Sequence, residues 1–133
     1  MSAVLVDSNI LLDVILETPD WFDWSYSALR DAAEHERLVI NLIIYAELSS
    51  GYDSVDLVET AIPTWIEREN IPYEAGFLAA KAYRQYRSRG GARHSPLPDF
   101  FIGAHAAVSG YRLLTRDAAR YRTYFPSVPL ITP

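Results

Sequence analysis

The sequence predicts an α/β fold of three layers, α/β/α, with a central parallel sheet of four to five short strands. Three observations lead there. Short apolar runs without polar alternation, Ala3-Val4-Leu5-Val6 and Leu38-Val39-Ile40, read as strands covered on both faces. Segments with helical spacing separate these runs, and strands alternating with helices make parallel sheets. Polar turn residues stand where the strands should end, Asp7-Ser8-Asn9 after the first and Thr115-Arg116-Asp117 after a late one.

Ala3 to Val6 is the first strand. Ile10, Leu11, Val14 and Ile15 then follow helical spacing until Thr18-Pro19 breaks it. Asp20 to about Glu36 reads as a second helix. Leu38 to Ile40 is a strand closed by Asn41, and Leu42 to Ser50 is helical up to Gly51. Ser54 to about Glu69 reads as a further helix, broken or split at Pro63. Tyr73 to about Ser88 is helical and stops at Gly90-Gly91. Residues 92–97 read as a loop containing Pro96, and Pro98 opens a helix running to about Gly110. Arg112 to Thr115 is a strand, and Asp117 starts a last short helix. Val128 to Ile131, set among prolines, fits only an edge strand or an extended tail. There is no repeat and no linker, so residues 1–133 are expected to form a single domain.

Composition narrows the chemistry. The chain has no cysteine, which excludes a disulfide scaffold, a zinc-thiolate site and a cysteine nucleophile. No apolar run approaches the roughly 20 residues of a membrane span. The first residues lack a basic region and meet an acid at once, so a signal peptide is not expected and the cytoplasm is the expected compartment. The net charge is −5, but it is unevenly spread. Residues 1–74 hold fifteen acids and three arginines, a net of −12; residues 75–133 hold nine bases and two acids, a net of +7. Asp99 and Asp117 are those two acids. Such polarity suits either a basic surface for a polyanion or a basic helix that offsets acidic neighbours.

Four acids occupy telling positions. Asp7 follows the first buried strand, where ligands bind in open α/β sheets, although an N-cap explains it at least as well taken singly. Glu47 lies three and four residues after Ile44 and Ile43, on the helix face expected to meet the core. A carboxylate there needs a cation or an arginine partner. Asp99 opens the apolar helix Phe100-Phe101-Ile102-Gly103-Ala104-His105-Ala106-Ala107-Val108, whose small residues allow close packing; the helix dipole would account for it. Asp117 repeats the pattern of Asp7, with Thr115 as a rival cap.

Carboxylates from separate parts of a chain suit Mg²⁺ or Mn²⁺, hard ions that prefer oxygen. Such an ion polarises a phosphoryl oxygen and activates water. Lys81, Arg84, Arg87, Arg89 and Arg93 precede Asp99, and Arg112, Arg116, Arg120 and Arg122 surround Asp117. These could hold phosphates beside the acids, with Arg116 the first candidate for a substrate contact.

Taken in order, four blocks resemble the PIN-domain family, and within it the VapC-type toxins of toxin–antitoxin pairs. They are Val6-Asp7-Ser8-Asn9-Ile10-Leu11-Leu12-Asp13, Tyr45-Ala46-Glu47-Leu48, Leu97-Pro98-Asp99-Phe100-Phe101-Ile102-Gly103-Ala104-His105-Ala106 and Leu114-Thr115-Arg116-Asp117. The resemblance implies an acidic quartet at Asp7, Glu47, Asp99 and Asp117 that is both catalytic and metal-holding. It implies that Ser8, Asn9 and Thr115 orient the acids or the metal waters. It further implies an Mg²⁺- or Mn²⁺-dependent endoribonuclease, commonly a homodimer, with RNA as substrate and a small antitoxin covering the site. Many relatives carry another acid near the fourth block, where Ala118-Ala119-Arg120 stands here, and this bears on a second metal. The alternative is a catalytically weak PIN module that binds RNA or a protein, against which the intact quartet argues. A phospho-acceptor receiver domain would need an acid pair after the first strand and a lysine after a late one. The single lysine, Lys81, falls in a helix.

Other residues receive plainer readings. Asp13, six residues after Asp7, is on the wrong face for a shared ligand and reads as solvated. Asp53 and Asp56 read as helix caps or decoration. His105 reads as a satisfied buried histidine, His94 as a loop residue that could touch RNA, and His35 shares no ligand spacing with either. Trp21, Phe22, Trp24 and Tyr26 read as core or, more sharply, as a partly exposed patch for a second copy or an antitoxin.

Overall fold

The computed structural model describes residues 2–91 and 97–133. The loop expected at residues 92–97 lies mostly outside the described residues, and so do Arg93 and His94. The chain runs β1 (Ala3–Val6), α1 (Ser8–Ile15), α2 (Phe22–His35), β2 (Arg37–Ile40), α3 (Leu42–Ser49), α4 (Val55–Ala61), β3 (Glu67–Arg68), α5 (Tyr73–Ser88), α6 (Leu97–Ser109), β4 (Arg112–Leu114), α7 (Ala118–Tyr124) and β5 (Leu130–Ile131).

The strands form one five-stranded sheet in the order β3-β2-β1-β4-β5, with every pair parallel. All four residues of β1 are fully buried, as a central strand covered on both faces requires. Helices flank this sheet, as the alternating pattern predicts. From β1 the chain fills one side with β2 and β3, then crosses to β4 and β5 on the other. The order therefore reverses between β1 and β4, which opens a crevice beyond their carboxyl ends. Register makes this exact in sequence terms: Val6 pairs with Leu114, so the next residues, Asp7 and Thr115, leave the sheet side by side. The Asp7 amide still donates to the Leu114 carbonyl at 2.9 Å.

The two helices nearest the crevice are fixed by their apolar faces. Ile44 and Leu48 bury α3, and Phe100, Ile102, Gly103, Ala104 and Ala106 bury α6. At Gly103 an added Cβ would stand 2.4 Å from the Phe125 ring, so glycine is what lets that ring close over α6. Gly110, at φ 71°, ends α6 and turns the chain into β4. Among the described residues no helix is long and apolar enough to cross a membrane.

The helix read from Ser54 to about Glu69 breaks before Pro63, as expected: it stops at Ala61, because Ile62 precedes a proline and is extended at ψ 124°. The second piece is corrected, since among the described residues no helix lies between the break and β3. Beyond Pro63 the chain forms β3, pairing Val39 with Glu67 and Ile40 with Arg68. Val128 to Ile131 ends in the edge strand β5.

Candidate active site

Asp7 sits at the floor of the crevice, 4 % exposed. It is the N-cap of α1 and accepts from the Ser8 amide through Oδ1 at 2.8 Å. Its Oδ2 accepts from the Thr115 hydroxyl at 2.8 Å, the Tyr121 hydroxyl at 3.3 Å and the Asn9 amide nitrogen at 3.4 Å. Every one of these donors is neutral. The N-cap and the site are thus the same side chain, and the two readings of Asp7 do not compete.

The polar residues around Asp7 form a frame. The Asn9 side-chain carbonyl accepts from the Arg116 amide at 3.2 Å, and the Asn9 nitrogen lies 3.4 Å from the Thr115 hydroxyl. The Thr115 oxygen also accepts from the Asp117 amide at 3.0 Å. Hence Asn9 and Thr115 pin the turn after β4 to the start of α1. Ser8 turns the other way and donates its hydroxyl to Glu47 Oε1 at 2.8 Å, which fixes the half-buried glutamate of α3 at the crevice edge. Asp99, in the first turn of α6, is partly buried and accepts from Arg120 Nη1 at 2.6 Å. Asp117, the N-cap residue of α7, is exposed.

Charge repulsion links Asp7 to Asp99 and Glu47, Glu47 to Asp99, and Asp99 to Asp117. Burial lifts the Asp7 carboxyl from its ordinary value of 3.8 to about 6. The Thr115 hydroxyl and the Ser8 amide oppose the rise, while the charges of Asp99 and Glu47 add to it. Glu47 is raised by burial, less the Ser8 hydrogen bond, with Asp99 adding to the rise. Asp99 is also raised by burial, opposed by Arg120 and reinforced by Asp117. Tyr121 is pushed far up by burial and by these acids, so it stands beside Asp7 as a neutral donor.

The donor set is chemically that of a hard divalent ion, with carboxylate oxygens from four elements. Among the described residues no three acidic or histidine side chains are gathered closely enough to enclose an ion. Glu47 is drawn to Ser8 and Asp99 to Arg120 instead. Mg²⁺ keeps several waters and takes only one or two carboxylates, so an open arrangement of this kind suits it.

Several sequence readings change at this point. Asp13, expected to be solvated, is 2 % exposed. It accepts from Arg116 Nε at 2.7 Å and Nη2 at 3.0 Å, and from the Ser25 hydroxyl at 2.7 Å. Arg116, the first candidate for a substrate contact, has its guanidinium bound to Asp13 and stacked 4.6 Å from the Trp21 ring centroid. Only its backbone amide, through Asn9, touches the acidic frame. Tyr121 is a site residue that the sequence reading misses: it is buried, a buried tyrosine hydroxyl needs a partner, and its partner here is Asp7. His105 is buried and satisfied as expected, 3.0 Å from Asn41 Nδ2 and 3.1 Å from Glu69 Oε1. Ser54 caps α4, and Asp56 lies exposed in its first turn. Trp21, Phe22 and Trp24 are half-buried and Tyr26 is exposed, so the aromatic patch remains partly open.

The family model of the PIN domain matches residues 4–126, and the chain belongs to that family. No curated protein sequence matches it. Among solved structures it is similar to a chain of VapBC2 from Rickettsia felis, bound to a DNA fragment from the promoter, with TM-score 0.75 and 18 % identity over 98 % of both chains. A chain of VapBC-1 from nontypeable Haemophilus influenzae gives TM-score 0.74 and 16 % identity over 98 % of this chain and 97 % of that one. A chain of a toxin–antitoxin complex from Klebsiella pneumoniae gives 0.69 and 22 %, with the same coverage. At these identities the likeness is one of fold.

Proposed function

We propose that this chain, as a single PIN domain over residues 1–133, is a VapC-type toxin: an Mg²⁺- or Mn²⁺-dependent endoribonuclease held in check by a small antitoxin in the cytoplasm. The observation that carries this reading is Asp7. It is a buried carboxylate at the sheet's switch point whose hydrogen-bond partners are all neutral and whose charged neighbours, Glu47 and Asp99, are acids. PIN domains are generally nucleases, and the similar structures were solved as toxin–antitoxin complexes.

In this reading Asp7 and Asp99 are the principal ligands, with Glu47 and Asp117 completing the pocket. A divalent ion bound there would polarise a phosphoryl oxygen and supply a water acidic enough to attack phosphorus at neutral pH. The protein's own part is orientation. Thr115, Ser8, Asn9 and Tyr121 lock the Asp7 carboxylate, and Ser8 holds Glu47 facing it. Neutral donors leave the negative charge of Asp7 intact, and the phenol of Tyr121 keeps its proton. Exposed bases on α5, Lys81 and Arg84 among them, offer sites for backbone phosphates. The half-open aromatic patch and the exposed side chains of Leu42, Tyr73 and Phe77 offer apolar surface for the antitoxin and for a second copy.

A second reading, a PIN module that binds RNA or protein without cleaving, is favoured by one observation: Arg120 already occupies Asp99. Incubating the purified protein with total RNA, in Mg²⁺ and in EDTA, beside Asp99→Asn separates the two. Cleavage should appear only for the unaltered protein in Mg²⁺. Equal cleavage by both proteins would end the nuclease assignment.

A further inference from the structure

The acidic crevice contains a positive charge of its own. Arg120 of α7 donates from Nη1 to Asp99 Oδ2 at 2.6 Å. Among the described residues the other Arg–carboxylate pairs join Arg37 to Glu67, Arg68 to Glu59, Arg112 to Glu36 and Arg116 to Asp13, none of them in the quartet. Arg120 is therefore the one arginine among the described residues that is ion-paired with a quartet acid. The two side chains are 29 % and 26 % exposed, so the pair lies at the rim, where an ion pair is weak and open to exchange. The helix beneath it is anchored independently. Tyr121, the next residue, is buried and bonded to Asp7, so Arg120 can swing without moving α7.

A divalent ion on Asp99 and a guanidinium on the same carboxylate are like charges in one place. Arginine cannot shed its proton to escape the repulsion. It has to leave Asp99, and it leaves as a planar five-donor fork tethered beside the ion, a geometry that matches a phosphodiester. Resting on the nuclease reading above, we propose that Arg120 changes partner: it neutralises Asp99 in the metal-free protein and, once a divalent ion takes Asp99, holds a phosphate of the RNA substrate.

The test uses the full chain and two readouts. Mn²⁺ affinity is measured by titration calorimetry, and binding of a fluorescein-labelled single-stranded RNA by anisotropy, with Ca²⁺ replacing Mn²⁺ so that the RNA stays whole. Arg120→Gln should bind Mn²⁺ about threefold to fivefold more tightly, since a rim ion pair no longer competes. The same variant should bind RNA about tenfold more weakly. Opposite shifts from one substitution are not what a merely structural role produces. Arg120→Lys, which keeps the charge without the fork, should leave Mn²⁺ affinity close to that of the unaltered protein and still weaken RNA binding; it carries the test should the glutamine variant fail to fold. Unchanged or weaker Mn²⁺ binding in Arg120→Gln overturns the exchange, as does unchanged RNA binding in either folded variant. Absence of Mn²⁺ binding from the unaltered protein and Arg120→Gln alike overturns the metal reading itself, and the exchange with it.

Discussion

Asp7 and Asp13 lie six residues apart at the two ends of one short helix, and both are buried. Their surroundings are opposite. Asp13 receives a two-pronged arginine and a serine hydroxyl, so its charge is neutralised within the fold. Asp7 receives only neutral donors and faces two other acids. A buried carboxylate with its cation supplied by the chain is architecture. One with its cation withheld, at the switch point of a parallel sheet, is on the proposed reading held for a cation from outside.

The largest expected contrast is in activity. Asp7→Asn keeps one oxygen for the cap, turns the other acceptor into an NH2 donor and removes the charge, and RNA cleavage should fall by about a thousandfold or more. Asp13→Asn, if folded, should retain most of its cleavage rate in the same assay. Comparable losses from both would erase the distinction.

The stability contrast runs the other way. Asp13→Asn leaves Arg116 facing a neutral amide, and breaking a buried pair from one side is expected to destabilise by about 3 kcal/mol in urea unfolding. Asp7→Asn should stabilise the metal-free protein at pH 7, because the acceptor oxygen it loses costs about 1 kcal/mol and the charge it removes costs more. The folded Asp7 carboxyl titrates near 6, above its ordinary 3.8, so the folded state binds this proton more tightly than the unfolded chain does. The group's favourable contribution is complete below about pH 4 and is lost as pH rises through about 6. By that difference the charged form is unfavourable by up to about 3 kcal/mol at neutral pH. Unfolding in EDTA across pH 4 to 7 should show Asp7→Asn gaining stability relative to the unaltered protein as pH rises; a difference that stays constant with pH would contradict the assignment.

The smallest effect concerns the arginine. Arg116→Lys keeps a charge for Asp13 but loses the fork and the stacking on Trp21, and about 1 kcal/mol of stability should go with them. Because the amide of residue 116 still reaches Asn9, cleavage should change little. A large loss of cleavage at full stability would return Arg116 to the substrate side.

The strands and most helices were legible because local rules fix them: Ala3–Val6 and Leu38–Ile40 are unbroken apolar runs, and Asn41 and Gly110 mark ends. β3 was not legible, since two polar edge residues, Glu67 and Arg68, carry no apolar signal and pair only because β2 offers an edge. The acids at strand exits were visible as positions, but their convergence was not. Asp13 shows why. Its helix face does point away from Asp7, but that face meets Arg116, 103 residues on, instead of water. Tyr121 reaches Asp7 across 114 residues in the same way. Partners so far apart in sequence leave no local trace.

The most direct measurement is thermal unfolding of the unaltered protein and Asp7→Asn at pH 7, each in EDTA and in Mg²⁺. Asp7→Asn is expected to melt higher in EDTA, and Mg²⁺ to raise the melting temperature of the unaltered protein while leaving the variant where it was. A variant that melts lower in EDTA, or an Mg²⁺ shift equal in both proteins, would contradict the claim that Asp7 is held for a divalent ion.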